Sequence, residues 1–334
     1  MKKKINPKLK FAFIGCGLIG NKRANSISKN SIVGCYDVSK KKSNSFAKKF
    51  SCKSYNDYNK LVKDSDVVII CTPHNYLDKF ALISLKLGKH VFVEKPGAIS
   101  LIRLKNLINK TKYLNKNLKI QVGFNHRFHP SIIQAIKMVN QKTLGDIMYV
   151  RSRYGHGGRK NYEKEWRMNK SISGGGELID QGSHIIDLSR IFLGEFVKID
   201  SYLNNFFWKS KVEDNAFLTL KTKHNKIAFL HASCTEWKNK FSFEIFGKKG
   251  KLEIEGLGGS YGKEKLLFYK MSKNFGKPKL KIWNFSNKFD ISWKSELSNF
   301  IKSIKFNTKV SCSLNDAYAN MKIINKCYKK HKIL

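Results

Sequence analysis

The stretch GGGELIDQGSH, residues 174 to 184, sets three glycines ahead of two acids, an amide and a histidine. Asp180 and His184 stand four positions apart, so on a helix they share one face. A carboxylate beside an imidazole can move a proton, because imidazole titrates near working pH. Two other readings fit the same letters. An amphipathic helix with a capped start needs no chemistry, and a zinc site needs more ligands than this pair. No further histidine or cysteine falls at ligand spacing, so no metal is expected.

A second constellation lies near the start of the chain. Gly15-Cys16-Gly17-Leu18-Ile19-Gly20 follows the strand-like run KFAFIG (10–15) and leads into a helical segment. Its glycines permit a tight turn and close approach of a pyrophosphate, with Leu18 and Ile19 opening the helix whose N-terminus receives it. Asp37 closes the next strand-like run, about 20 residues past the first glycine, where an acid meets the ribose hydroxyls of a dinucleotide. A carboxylate there repels a 2′-phosphate, so NAD is the expected cofactor. Lys40, Lys41 and Lys42 could offset the repulsion, which leaves NADP open. MKKKINPKLK followed by FAFIGCGLIG also mimics a secretory leader. A leader accounts for neither Asp37 nor the strands beyond it, so the dinucleotide reading is preferred.

The third motif is more specific. In GKHVFVEKPGAIS (88–100) a buried strand delivers Glu94-Lys95-Pro96 at its carboxyl end, the edge of an open α/β sheet where ligands bind. The order GxGxxG, Asp37, Thr72-Pro73, Glu94-Lys95-Pro96 and GGGxxxDxGxH resembles the glucose–fructose oxidoreductase / inositol dehydrogenase / rhizopine catabolism family (Gfo/Idh/MocA). The resemblance runs from about residue 10 to the C-terminus. It implies a Rossmann domain, here 1–124, and then an α/β domain, here 125–334, with a large, mostly antiparallel sheet that often serves as the oligomer interface. A homodimer or homotetramer is therefore implied. So is hydride transfer between NAD(P) and a hydroxyl or keto carbon of a sugar, cyclitol or sugar nucleotide.

On the family pattern Lys95 touches both the nicotinamide ribose and the substrate. His184 is the acid–base and Asp180 lies beside it, while Thr72, Pro73 and Glu94 join the cofactor contacts. Leu77 stands where many members carry a histidine after Thr-Pro. That position is not the usual base, so the activity is not put in doubt. Relatives that only sense cofactor tend to lose the lysine or the histidine, and this chain keeps both.

Arginine carries a separate signal. Of eight arginines, five (Arg127, Arg151, Arg153, Arg159, Arg167) fall between 127 and 167. Guanidinium forks suit carboxylate or phosphate, which points to a sugar acid or nucleotide sugar gripped by Arg127 and Arg159. Tyr154, His156 and Trp166 in the same segment would supply rings to a sugar face. Ion pairs with Glu163, Glu165 and Glu177 are the competing account of these arginines, and a neutral inositol or polyol is the alternative substrate.

These residues need elements to hold them. Strand-like runs at 10–15, 31–37, 67–72, 90–94 and 119–124 alternate with helical segments at 19–29, 40–50, 76–87 and 100–115. Such repeated units predict a doubly wound parallel sheet. From 147 the rhythm changes to closely spaced strands at 147–154, 197–208, 214–222, 226–237 and 241–247, which predicts an antiparallel sheet covered by helix 177–193. Helices at 293–305 and 314–330 close the chain.

Composition sets the outer limits. The net charge of +41 would suit a polyanion, but the lysines are spread along the whole chain with Asn and Ile. That reads as a solvated basic surface, so no nucleic-acid partner is expected. Seven scattered cysteines without a CxxC indicate no disulfide framework and a reducing cytoplasm. No apolar run is long enough to span a bilayer, so no membrane partner is expected.

Overall fold

The computed structural model describes residues 9–272, 274–285 and 290–332. The chain forms two compact units, Met1–Gly123 with Trp293–Tyr318, and Phe124–Ser292 with Ala319–Leu334.

The first unit opens with β1 (Phe11–Ile14), α1 (Leu18–Ala24), β2 (Ile32–Tyr36), α2 (Lys40–Phe50), β3 (Lys53–Ser54) and α3 (Tyr58–Lys63). It continues with β4 (Val67–Ile70), α4 (His74–Lys86), β5 (His90–Glu94), α5 (Leu101–Thr111) and β6 (Ile120–Gly123). The strands form one parallel sheet in the order β3-β2-β1-β4-β5-β6. β1 and β4 are buried along their whole length, as apolar runs covered on both faces must be. Strand order reverses between them, and the loops leaving their carboxyl ends carry Gly15–Gly20 and Thr72–Pro73 at the topological switch point. Phe11–Ile14, one part of the stretch that mimics a leader, form a central strand paired on both sides.

Two expectations need correction here. The helix expected over 19–29 ends at Ala24, where the amides of Ser26 and Ile27 turn back onto the carbonyls of Arg23 and Ala24. Ser and Asn in this stretch offer the backbone such alternatives to a helix. A single division between residues 124 and 125 does not describe the chain either. Residues 293–318 rejoin the first unit because α9 (Ser292–Lys305) buries Leu297 and Phe300 among Phe13, Val67 and Phe92.

Arg23 fixes that return. It is fully buried, donates to Glu94 at 2.7 Å and to Glu296 of α9 at 2.6 Å, and lies between the rings of Phe92 and Trp293. Burial works against its charge, but Glu296 and Glu94 outweigh burial and hold the guanidinium above its ordinary range.

The second unit contains α6 (Pro130–Asn140), β7 (Ile147–Gly155), α7 (Lys170–Ser173), a π-turn (Leu178–Gly182) and α8 (Ser183–Leu193). Seven strands follow: β8 (Phe196–Asn204), β9 (Asn215–Thr222), β10 (Ile227–Ser233), β11 (Lys240–Gly247), β12 (Gly250–Glu255), β13 (Glu264–Lys270) and β14 (Lys279–Phe285). The eight strands, β7 to β14, form one sheet, β14-β13-β12-β11-β7-β10-β9-β8, antiparallel except between β7 and β10. α10 (Leu314–Lys330) begins among residues of the first unit and ends among those of the second. The strand expected over 197–208 ends at Asn204. Asp214 takes the amides of Phe206, Phe207 and Trp208, which withdraws them from the ladder. No helix among the described residues is long and apolar enough to cross a membrane.

Replacing Arg23 by methionine leaves two buried carboxylates facing each other without their cation. Breaking a buried ion cluster in this way costs about 3–5 kcal/mol. Urea denaturation should show a loss of that size, and a loss below about 1 kcal/mol would mean that the packing of α9 does not depend on the pair.

Candidate active site

The glycine turn of the first unit has a division of labour. Gly15 takes φ +98°, and a Cβ there would meet the backbone of Cys71 at 2.6 Å. A Cβ on Gly20 would meet the Gly15 carbonyl oxygen at 2.1 Å. Gly17, at the N-cap of α1, has nothing within 4 Å of where its Cβ would be. Two glycines therefore close the turn against the sheet, and the middle one leaves open space before the helix amides. That is the cradle a pyrophosphate needs. Asp37 is tied into it, accepting from the Cys16 amide at 2.8 Å and from the Ser39 amide at 2.8 Å. Leu18 is exposed in the first turn of α1, and Pro73 begins α4 with Thr72 just before it. Lys40, Lys41 and Lys42 are all exposed.

At the end of β5, Glu94 and Lys95 part company. Glu94, expected at the cofactor, is buried and receives Arg23. Its carboxylate therefore serves the packing of its own unit. Lys95 follows it half-buried, ahead of a cis bond to Pro96.

In the second unit one of the three glycines answers to backbone conformation and two answer to close packing. Gly174 takes φ +83° and ends α7. A Cβ on Gly175 would fall 1.9 Å from the Tyr328 hydroxyl oxygen, and one on Gly176 would fall 1.9 Å from the Glu213 carbonyl oxygen. The Glu213 carboxylate then accepts from the amides of Gly176 and Leu178, both at 3.0 Å, and from Tyr328 at 2.7 Å. Helix starts carry amides without intrahelical partners, and a carboxylate there also favours the helix dipole.

Asp180 lies in the π-turn and His184 in the first turn of α8. π-turns are common at functional sites. Asp180 receives Arg167 at 3.1 Å. His184 is buried and stacks on His126, with ring centroids 3.8 Å apart and planes 21° from parallel. Phe124 and Tyr154 flank it edge-on at 5.8 and 6.2 Å.

The structure gives each of the five clustered arginines a carboxylate of its own unit. Arg127 grips Asp187 in a fork at 2.7 and 2.6 Å, one turn beyond His184. Arg151 pairs with Glu244 and Arg153 with Glu236, Arg159 forks onto Glu165, and Arg167 reaches Asp180. Trp166 lies under the Arg167 guanidinium. Tyr154 packs against His126 and Tyr261 in the group around His184. His156 turns toward Tyr162 and Glu177. Among the described residues no group of His, Cys, Asp and Glu could hold a metal.

Sequence reasoning missed His126 and Glu213, and gave Glu177 only as an ion-pair partner for the arginines. His126 was within reach, since NHRFHP (125–130) puts it next to Arg127. Glu177 stands directly after the glycines, where a hydrophobic residue would serve a helix equally well. Nothing local marks Glu213, which lies 37 positions from the amide it caps.

The chain belongs to the GFO/IDH/MocA oxidoreductase family. Residues 9–124 match the family model for the NAD-binding Rossmann fold, and residues 132–253 match that for the GFO/IDH/MocA C-terminal domain. Levoglucosan dehydrogenase of Pseudarthrobacter phenanthrenivorans is 32% identical over 157 residues, which cover 46% of this chain and 40% of that protein. Inositol 2-dehydrogenase/D-chiro-inositol 3-dehydrogenase of Lactiplantibacillus plantarum is 23% identical over 73% of this chain and 71% of its own. The fold matches a structure of levoglucosan dehydrogenase in complex with NADH and levoglucosan, with TM-score 0.86, 22% identity and 98% of both chains covered.

Gly176→Ala should test the glycine-led turn directly, because its Cβ meets backbone that cannot rotate away. Overpacking of this kind costs about 1–3 kcal/mol. Thermal unfolding should show a clear drop in Tm, and an unchanged Tm would mean that the turn relaxes freely.

Proposed function

We propose that the protein transfers a hydride between NAD and a hydroxyl or keto carbon of a neutral sugar or polyol. The observation that carries this reading is the buried His184, held at the start of α8 beside Asp180 by a turn that only glycines can make. The open space at Gly17 and the carboxylate of Asp37 fit the dinucleotide of the family. NAD bound there supplies the hydride acceptor. His184 takes the proton from the reacting hydroxyl as hydride leaves the same carbon. Lys95 donates to the reacting oxygen and stabilises the negative charge that develops on it. Asp180 holds a neighbouring hydroxyl. With Arg127 and Arg167 already matched by Asp187 and Asp180, a substrate rich in hydroxyls suits these groups better than an anion.

Assembly is part of the proposal. One face of the large sheet exposes Tyr149, Tyr202, Ile227 and Phe229, an apolar surface that supports a homodimer or homotetramer. No disulfide joins the described cysteines, which suits a cytoplasmic setting.

Isothermal titration should show NAD binding more tightly than NADP, and Asp37→Ala should narrow the difference. A tenfold preference of the wild type for NADP would assign control to Lys40–Lys42 instead.

Lys95→Met and His184→Ala should each lower turnover of levoglucosan or myo-inositol by about 10²–10⁴-fold. Both should still bind NADH, because the glycine turn is untouched. Near-normal turnover in His184→Ala would move the base to another residue.

A further inference from the structure

The turn before α8 carries two carboxyl groups three positions apart, Glu177 and Asp180, and their surroundings differ sharply. Asp180 is partly exposed and receives a guanidinium from Arg167 at 3.1 Å. Glu177 is 1% exposed. Its Oε1 accepts from the Tyr162 hydroxyl at 3.0 Å, and its buried Oε2 accepts no N–H or O–H among the described residues. The Cys234 thiol at the end of β10 flanks the same group. His156 faces Oε1 at 3.7 Å through Nε2, while its Nδ1 accepts from the Gly158 amide at 2.9 Å. That bond places the ring proton of a neutral His156 on Nε2, on the side of Glu177. Burial, with Arg159 and Arg167 nearby, pushes the His156 imidazole below its ordinary range, so it brings no cation to Glu177. Glu213, the remaining acid close by, is occupied by the amides of Gly176 and Leu178.

We infer that Glu177 is a positioning residue held as the neutral acid, which leaves Asp180 as the one ionised carboxyl on the turn that presents His184. The inference rests on the reading of Asp180 and His184 given above. Two like charges on one dry turn disfavour each other, and the proton settles on the group without a cation. Burial first, and then Asp180, push Glu177 up to about 8. Ionisation of Glu177 above that pH sets a second negative charge against Asp180, and their repulsion works against the turn that positions His184. Turnover should therefore fall on the alkaline side.

The folded state holds a proton on Glu177 that the unfolded chain releases near the ordinary 4.5, so this group's contribution is intact below 4.5 and is lost as pH rises to about 8. Glutamine mimics the neutral acid and keeps the Tyr162 bond.

The test compares wild type with Glu177→Gln in the full chain. Difference infrared spectroscopy should show a protonated-carboxyl band in the wild type at pH 7 that bleaches with a midpoint near 8 and is absent from the variant. The Tm of the variant relative to wild type should rise between pH 5 and 8. With NAD and levoglucosan or myo-inositol, the variant should keep kcat within about twofold at pH 7 and lose the alkaline decline. A band that titrates near 4.5, or no band difference at all, overturns the inference. So does an alkaline limb that survives unchanged in the variant. If neither protein turns over either compound, the functional reading fails, and the infrared titration still decides the state of Glu177.

Discussion

One carboxylate oxygen organises the presentation of His184. Glu213 Oε1 receives two backbone amides from the glycine-led turn and the hydroxyl of Tyr328. A buried carboxyl of this kind is costly without donors, and burial does push Glu213 above its ordinary range. The donors come at a geometric condition. Backbone amides reach Glu213, and Tyr328 reaches the same point, only if positions 175 and 176 carry no side chain. The glycines therefore act as a close-packing device rather than a flexible entry, and the helix that follows inherits a fixed origin.

From that origin the second unit sorts its charges. Asp187 is matched by Arg127 and Asp180 by Arg167, while His184 is stacked against His126 and enclosed by Phe124 and Tyr154. A buried imidazole between rings has few orientations open to it, which is what a proton-transfer group requires. The first unit solves a parallel problem with Arg23, whose two carboxylate partners join β5 to α9 and leave Lys95 as the residue that follows the strand.

The sequence was most readable where the physics is local. Strand β5 and helix α2 lie over the residues that periodicity indicated, and the three glycine roles at 15, 17 and 20 follow from a motif six residues long. The least readable features join distant positions. Glu296 pairs with Arg23 across 273 residues, and Glu213 caps an amide 37 residues before it. No window of sequence contains both ends of such a contact. The arginine cluster was readable only in part: Glu165, near in sequence, was among the acids named as partners, whereas Glu244, Glu236 and Asp187 come from other elements. Ring stacking between His126 and His184 likewise depends on tertiary placement that spacing does not encode.

The central claim is that His184 serves a hydride transfer between NAD and a carbon bearing a hydroxyl. Isotope transfer measures it most directly. Levoglucosan and myo-inositol carrying deuterium on their ring carbons would be incubated with NAD and the protein, and the recovered NADH examined by mass spectrometry. The account predicts deuterium on the nicotinamide ring with the wild-type protein and its near absence with His184→Ala. Deuterium transfer that proceeds equally in both proteins would contradict it.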